Sequence, residues 1–173
     1  MNQAKKNIFI VFYLIALVSA NLIVKHFGAP GLWFSSALLI PFDFICRAIF
    51  HETWKGKKLI TNLLLLTVVS GIVTFIINHE ALNIALASFS GIVAVQVFAG
   101  IFYQMFMKKS YFFKVNLSDL VAIIVDSITF QLVAFNSVNF EVTGGQMLIK
   151  ALGGLFWYYI IFKIFKFNPN ERK

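Results

Sequence analysis

Six stretches of this chain are apolar almost without interruption: residues 8–24, 32–50, 59–77, 82–107, 117–135 and 145–167. Each runs to between 17 and 26 residues. An α-helix rises about 1.5 Å per residue, so about 20 apolar residues carry it across a hydrocarbon layer roughly 30 Å thick. The apolar residues follow one another directly, whereas a lipid-facing barrel strand alternates over about ten residues. The pattern therefore predicts helices, which satisfy their backbone groups within each segment. The predicted fold class is an all-α integral membrane protein: a single domain, 1–173, of six transmembrane helices.

The polar gaps carry a second signal. Lys5 and Lys6 precede the first stretch; Lys55, Lys57 and Lys58 follow the second; Lys108, Lys109 and Lys114 follow the fourth; Lys163, Lys166, Arg172 and Lys173 close the chain. With six crossings all four groups fall on one side, while the opposite gaps hold Lys25, His79, Glu80 and Glu141. Cytoplasmic loops carry the excess of Lys and Arg, so both termini are predicted to be cytoplasmic. Val18-Ser19-Ala20 resembles a signal cleavage site, but no polar mature domain follows it.

Composition agrees. Hydrophobic residues are 60% of the 173 and charged ones 13%, against roughly 45–50% and 25% in soluble domains; mean hydropathy is +0.83. A soluble globule and a disordered chain are both excluded. The net charge of +8 would point to nucleic acid in a soluble protein. Here the cations sit between apolar stretches, so they read as topology signals; the expected partner is the lipid bilayer and no nucleic acid. The single Cys46 has no second cysteine to pair with. With so little chain outside the stretches, function is expected inside the bundle.

An ionisable side chain in the bilayer interior costs on the order of 3 kcal/mol, so each one is a functional candidate. Asp43 and Arg47 in the second stretch are four residues apart, on one helix face, and can pair. Asp126 lies in the middle of the fifth stretch and has no basic neighbour within a turn; Lys150 lies just over one turn into the sixth. Asn21 and Gln96 add amides that both donate and accept. The structural alternatives are plain: Arg47 and Lys150 can snorkel to the headgroups, Asp43 can merely neutralise Arg47, and the amides can glue helices together. Ala16 and Ala20, then Ser88, Gly91 and Ala94, then Gly153 and Gly154 read as close packing steps. Phe156, Trp157 and Tyr158 offer a stacking surface beside Lys150. His51-Glu52 and His79-Glu80 each lack the second histidine of a zinc-protease helix. No metal, no cofactor and no enzymatic activity are expected.

Three helices followed by three reverse the sense of the second half, the inverted-repeat plan of many transporters. Asn21 and Gln96 in the first and fourth stretches, and Asp43 and Asp126 in the second and fifth, fit such a 3+3 repeat.

At these residues the chain resembles the queuosine precursor transporter family, formerly the putative vitamin uptake transporters. The resemblance runs through nearly the whole length: Ser19-Ala20-Asn21-Leu22; Pro41-Phe42 with Arg47, His51, Glu52 and Trp54; Ala87-Ser88-Phe89 with Gln96; Val125-Asp126-Ser127 with Ala134-Phe135; and Lys150. Ala48 stands where the family usually carries an aspartate, and Ala99 where an acid is common. The resemblance implies a six-helix importer of the cytoplasmic (inner) membrane that moves a deazapurine such as 7-cyano-7-deazaguanine into the cell, and it adds Ser127 to the substrate-binding set. The residues suit such a cargo. One carboxylate can accept from the adjacent N–H and amino group of a guanine-like edge, a role given to Asp126. Gln96, Asn21 and Lys150 would serve the other polar atoms, with Phe or Trp stacking on the ring. Asp126 is equally a candidate proton carrier. Competing expectations are a substrate-capture subunit of an energy-coupling-factor importer, docking through Ala16 and Ala20, and a non-transporting assembly protein; a homo-oligomer stays open.

Overall fold

The computed structural model describes residues 3–54 and 57–164. Lys55, Lys166, Arg172 and Lys173 of the basic groups, and the last residues of the sixth stretch, lie outside the described residues. Helix α1 spans Gln3–Phe27; α2 (Ala29–Phe34) runs through a π-turn (Ser35–Leu39) into α3 (Ile40–Thr53); α4 spans Lys57–Ile77, α5 Leu82–Met105, α6 Tyr111–Phe135 and α7 Phe140–Tyr158, which ends in a second π-turn, Tyr159–Ile164. Six of the resulting rods are long and apolar enough to cross a membrane.

Each connection is built from residues suited to it. Gly28 sits at φ 60°, the left-handed region that a side chain disfavours, and turns α1 into α2 in a single residue. Pro30, in the first turn of α2, occupies a place where its missing N–H costs nothing. Asn78 Oδ1 accepts from the Glu80 amide at 3.0 Å and starts the 3₁₀ turn His79–Ala81 ahead of α5. Asn136, at φ 53°, closes α6, and Asn139 Oδ1 caps α7 by accepting from the Glu141 and Val142 amides, both at 3.1 Å. With Asn139 as its cap, the sixth rod begins at Phe140 instead of 145, and the pair Gly144-Gly145 lies inside the helix. The fifth also starts earlier, taking in Phe112 and Phe113. Lys114 is therefore no loop cation: it is buried, with its ammonium 5.5 Å from the centroid of the Tyr103 ring.

Burial ranks the rods. In the rod made of α2, the π-turn and α3, 61% of the apolar window is buried, against 22% in α4. The broken rod is the centre of the bundle and α4 lies at its edge, its Ile60, Leu65, Ile72 and Ile76 facing outward. Apolar side chains outside and polar ones within is the pattern of a protein whose solvent is lipid. Behind α3, Phe50 stacks on Trp54 at 4.5 Å, and both pack with Tyr13, Leu17, Cys46 and Leu63 of the α1–α3–α4 core.

The π-turn is where the broken rod meets α7. In a regular helix the Ala37 carbonyl would accept from residue 41, but Pro41 has no N–H. The chain answers with a wider turn, in which the Ile40 amide donates to the Ser35 carbonyl. Gly153 of α7 seats directly on this turn, so close that a Cβ there would overlap the Ala37 carbonyl oxygen. One turn further along α7, Trp157 Nε1 donates to the Leu38 carbonyl at 2.8 Å. Trp157 also packs on Phe42 at 4.8 Å. Its work is to hold the break, and the stacking surface expected of Phe156, Trp157 and Tyr158 beside Lys150 does not form: Phe156 is half exposed and the indole is committed to the π-turn and Phe42.

Candidate functional site

The π-turn and the inward polar residues surround a central slot whose unfilled space, open mouth included, is about 500 Å³. Helix α1 supplies Ala20 and Asn21; the π-turn supplies Ser35 and Ser36; α3 supplies Asp43 and Arg47. From the other half come Ser88 and Ile92 of α5, Asp126 and Phe130 of α6, and Gln146 and Lys150 of α7. Five of the seven residues singled out from the sequence thus share one wall system: Asn21, Asp43, Arg47, Asp126 and Lys150.

Two ion pairs dominate it. Arg47 Nε donates to Asp43 Oδ1 at 3.0 Å while Nη2 donates to Oδ2, the two-pronged geometry that suits a guanidinium and a carboxylate. Four residues along one helix places them, as the sequence spacing implies. Lys150 Nζ donates to Asp126 Oδ2 at 2.8 Å and to Ser127 Oγ at 2.9 Å, joining α7 to α6. Lys150 is 3% exposed, so it does not snorkel. Asp126 has its basic partner, from another helix. Ser127 is wholly buried and acts on Lys150, outside the lining of the slot. Two of the three ammonium hydrogens are used, leaving the third for another acceptor. Gly91 lets Asp126 in: a Cβ there would come within 2.7 Å of Oδ1.

The pairs cancel, so two carboxylates and two cations leave the slot without net formal charge. A neutral polar molecule enters such a place at lower cost than an ion does. Asn21 tightens the third side, its Nδ2 donating to Thr74 Oγ1 at 3.4 Å and its Oδ1 accepting from Ser88 Oγ. Thr74 of α4 thereby steadies Asn21 from behind the lining. Gln146 stands apart: it is completely buried, and neither Oε1 nor Nε2 has a hydrogen-bond partner among the described residues.

Gln96 is not in this slot. It opens into a second chamber with Asp119, Ser118, His51 and Ala99, and its buried Nε2 is without a hydrogen-bond partner among the described residues. Arg47 borders both spaces, so the Asp43–Arg47 pair is the partition between them. The chamber lies toward the helix ends that carry Lys58 and Lys108. Gln96 is eight residues, about 12 Å of helix, beyond Ser88 in that direction.

Two residues escaped the sequence reading. Asp119 lies seven residues before Asp126 and Gln146 four before Lys150, each on the same helix face as a residue already singled out. That periodicity was the available signal. Among the described residues, the one aromatic ring on the slot is Phe130. Among the described residues, no three His, Cys, Asp or Glu side chains converge as a metal site would require. No protein-family model, curated protein or solved structure matches this chain.

Proposed function

We propose that this protein is a carrier, and not an enzyme, that imports a neutral deazapurine base, with 7-cyano-7-deazaguanine as the type cargo, through the central slot. The observation that carries the reading is the slot itself: two balanced ion pairs set among polar and apolar lining residues, drawn from both halves of the chain, inside a bundle whose exterior is apolar. A bundle needing only to stand in lipid gains nothing from four buried charges. A guanine-like base offers an N–H and an amino group to Asp126 and a ring carbonyl to the remaining hydrogen of Lys150. Phe130 is the ring available for stacking.

The proposal includes an inner-membrane location with both termini cytoplasmic, supported by Lys58, Lys108, Lys109 and Lys163 at one end of the rods. The 3+3 inverted repeat belongs to it as a correspondence of residues. Packing is less symmetric: α7 lies along α3, and among the described residues no comparable contact joins α4 to α6. The capture-subunit alternative loses its docking step, since Ala16 and Ala20 are both buried within this bundle.

The test is a feeding experiment in bacteria lacking both deazaguanine synthesis and their own importer. Expression of this chain with 7-cyano-7-deazaguanine in the medium should restore queuosine in tRNA. Asp126→Asn, which keeps the shape and loses an acceptor, should cut restoration at least tenfold at equal membrane level. Restoration by the variant equal to wild type would remove Asp126 from the site.

A further inference from the structure

Of the polar side chains on the central slot, the charged ones and Asn21 already have protein partners. The Gln146 carboxamide has none. It is wholly buried, both of its polar atoms lack a hydrogen-bond partner among the described residues, and it lines the same space as Lys150, one turn along the same face of α7. Buried polar atoms are paired in the great majority of cases, and an unpaired one carries its full desolvation cost. Packing alone would favour methionine or leucine at this position.

A carboxamide presents one donor and one acceptor side by side. Its complement is a planar edge with an N–H next to an unprotonated ring nitrogen or a carbonyl, as when glutamine reads adenine in two-pronged fashion. With Asp126 on the N1–H and amino edge and Lys150 on the carbonyl, a guanine-like base has one such edge left: N3, an acceptor, beside N9–H, a donor. We propose that Gln146 reads this edge, Nε2–H donating to N3 and Oε1 accepting from N9–H, so that the slot selects bases whose N9 is unsubstituted. The inference rests on the carrier reading above. A substituent at N9 removes the donor and leaves Oε1 facing a group that offers it no hydrogen bond.

Binding to purified protein in lipid nanodiscs decides it, with three probes: 7-cyano-7-deazaguanine, its N1-methyl derivative and its N9-methyl derivative. Wild type should bind the parent at least tenfold more tightly than either derivative. Gln146→Met should weaken the parent at least tenfold, bind it and the N9-methyl derivative within about threefold of each other, and still reject the N1-methyl derivative. Asp126→Asn should do the reverse, losing the N1 discrimination and keeping that at N9. Without ligand, Gln146→Met should raise the melting temperature, because it removes an unpaired buried amide; a glutamine with a structural hydrogen bond would lower it. Gln146→Leu replaces it if the methionine variant does not fold. Retention of the wild-type N9 discrimination by the Gln146 variant overturns this assignment while leaving the carrier reading intact. Failure of wild type to bind any of the three overturns the carrier reading and this inference with it.

Discussion

Replacing Lys150 with methionine is expected to cost about 3–5 kcal/mol, the usual penalty for removing one member of a buried ion pair. Asp126 would be left inside the bundle with its Oδ2 unpaired and with Gly91 pressed against Oδ1. In a chain of this size that loss corresponds to a fall in melting temperature on the order of 10 °C. Adding Asp126→Leu to Lys150→Met should recover most of the stability, since an apolar pair of similar volume often replaces a buried salt bridge at little cost. Uptake should not recover. Thermal unfolding of the two single variants and the double variant in detergent closes the cycle and isolates the coupling of the pair. A Lys150→Met protein as stable as wild type would mean that the ammonium is not held against Asp126.

The second large effect is expected at a pair of adjacent glycines with opposite fates. Gly153→Ala should destabilise by about 3 kcal/mol, at the upper end for overpacking, because the obstacle is the backbone carbonyl of Ala37 together with the Pro41 ring. A side chain can swing aside; a carbonyl held in the π-turn cannot. Gly154→Ala meets nothing within 4 Å and should be neutral, or stabilising by up to about 1 kcal/mol through helix propensity. Melting curves of the two variants read the difference directly, and equal behaviour would show that α7 does not rest on the π-turn.

This contrast marks where sequence reasoning reaches and where it stops. Six apolar runs were legible because the bilayer sets their length. Asp43 with Arg47 was legible because one helix places residues four apart on the same face. Asp126 with Lys150 was not, since nothing in the chain states which face of α6 meets α7. Gly153 and Gly154 are indistinguishable on paper; only the course of the broken rod separates them. That break was half visible in Pro41, whose missing N–H affects the carbonyl four residues earlier. Gln96 lies on the fourth apolar helix, where its place in the sequence puts it, but depth removes it from the slot: two helical turns below Ser88, it lies across the Asp43–Arg47 partition. Gln146 and Asp119 were passed over although each shares a helix face with a residue that was noticed. The rule they teach is to follow every intramembrane charge one and two turns in both directions before closing the list.

The measurement that bears most directly on the proposed carrier function is uptake of labelled 7-cyano-7-deazaguanine into proteoliposomes containing only this protein. The expected result is saturable accumulation inside the vesicles, competed by unlabelled base and reduced at least tenfold by Asp126→Asn. Vesicles that take up the label no faster than protein-free ones, with the folded protein in their membranes, would contradict it.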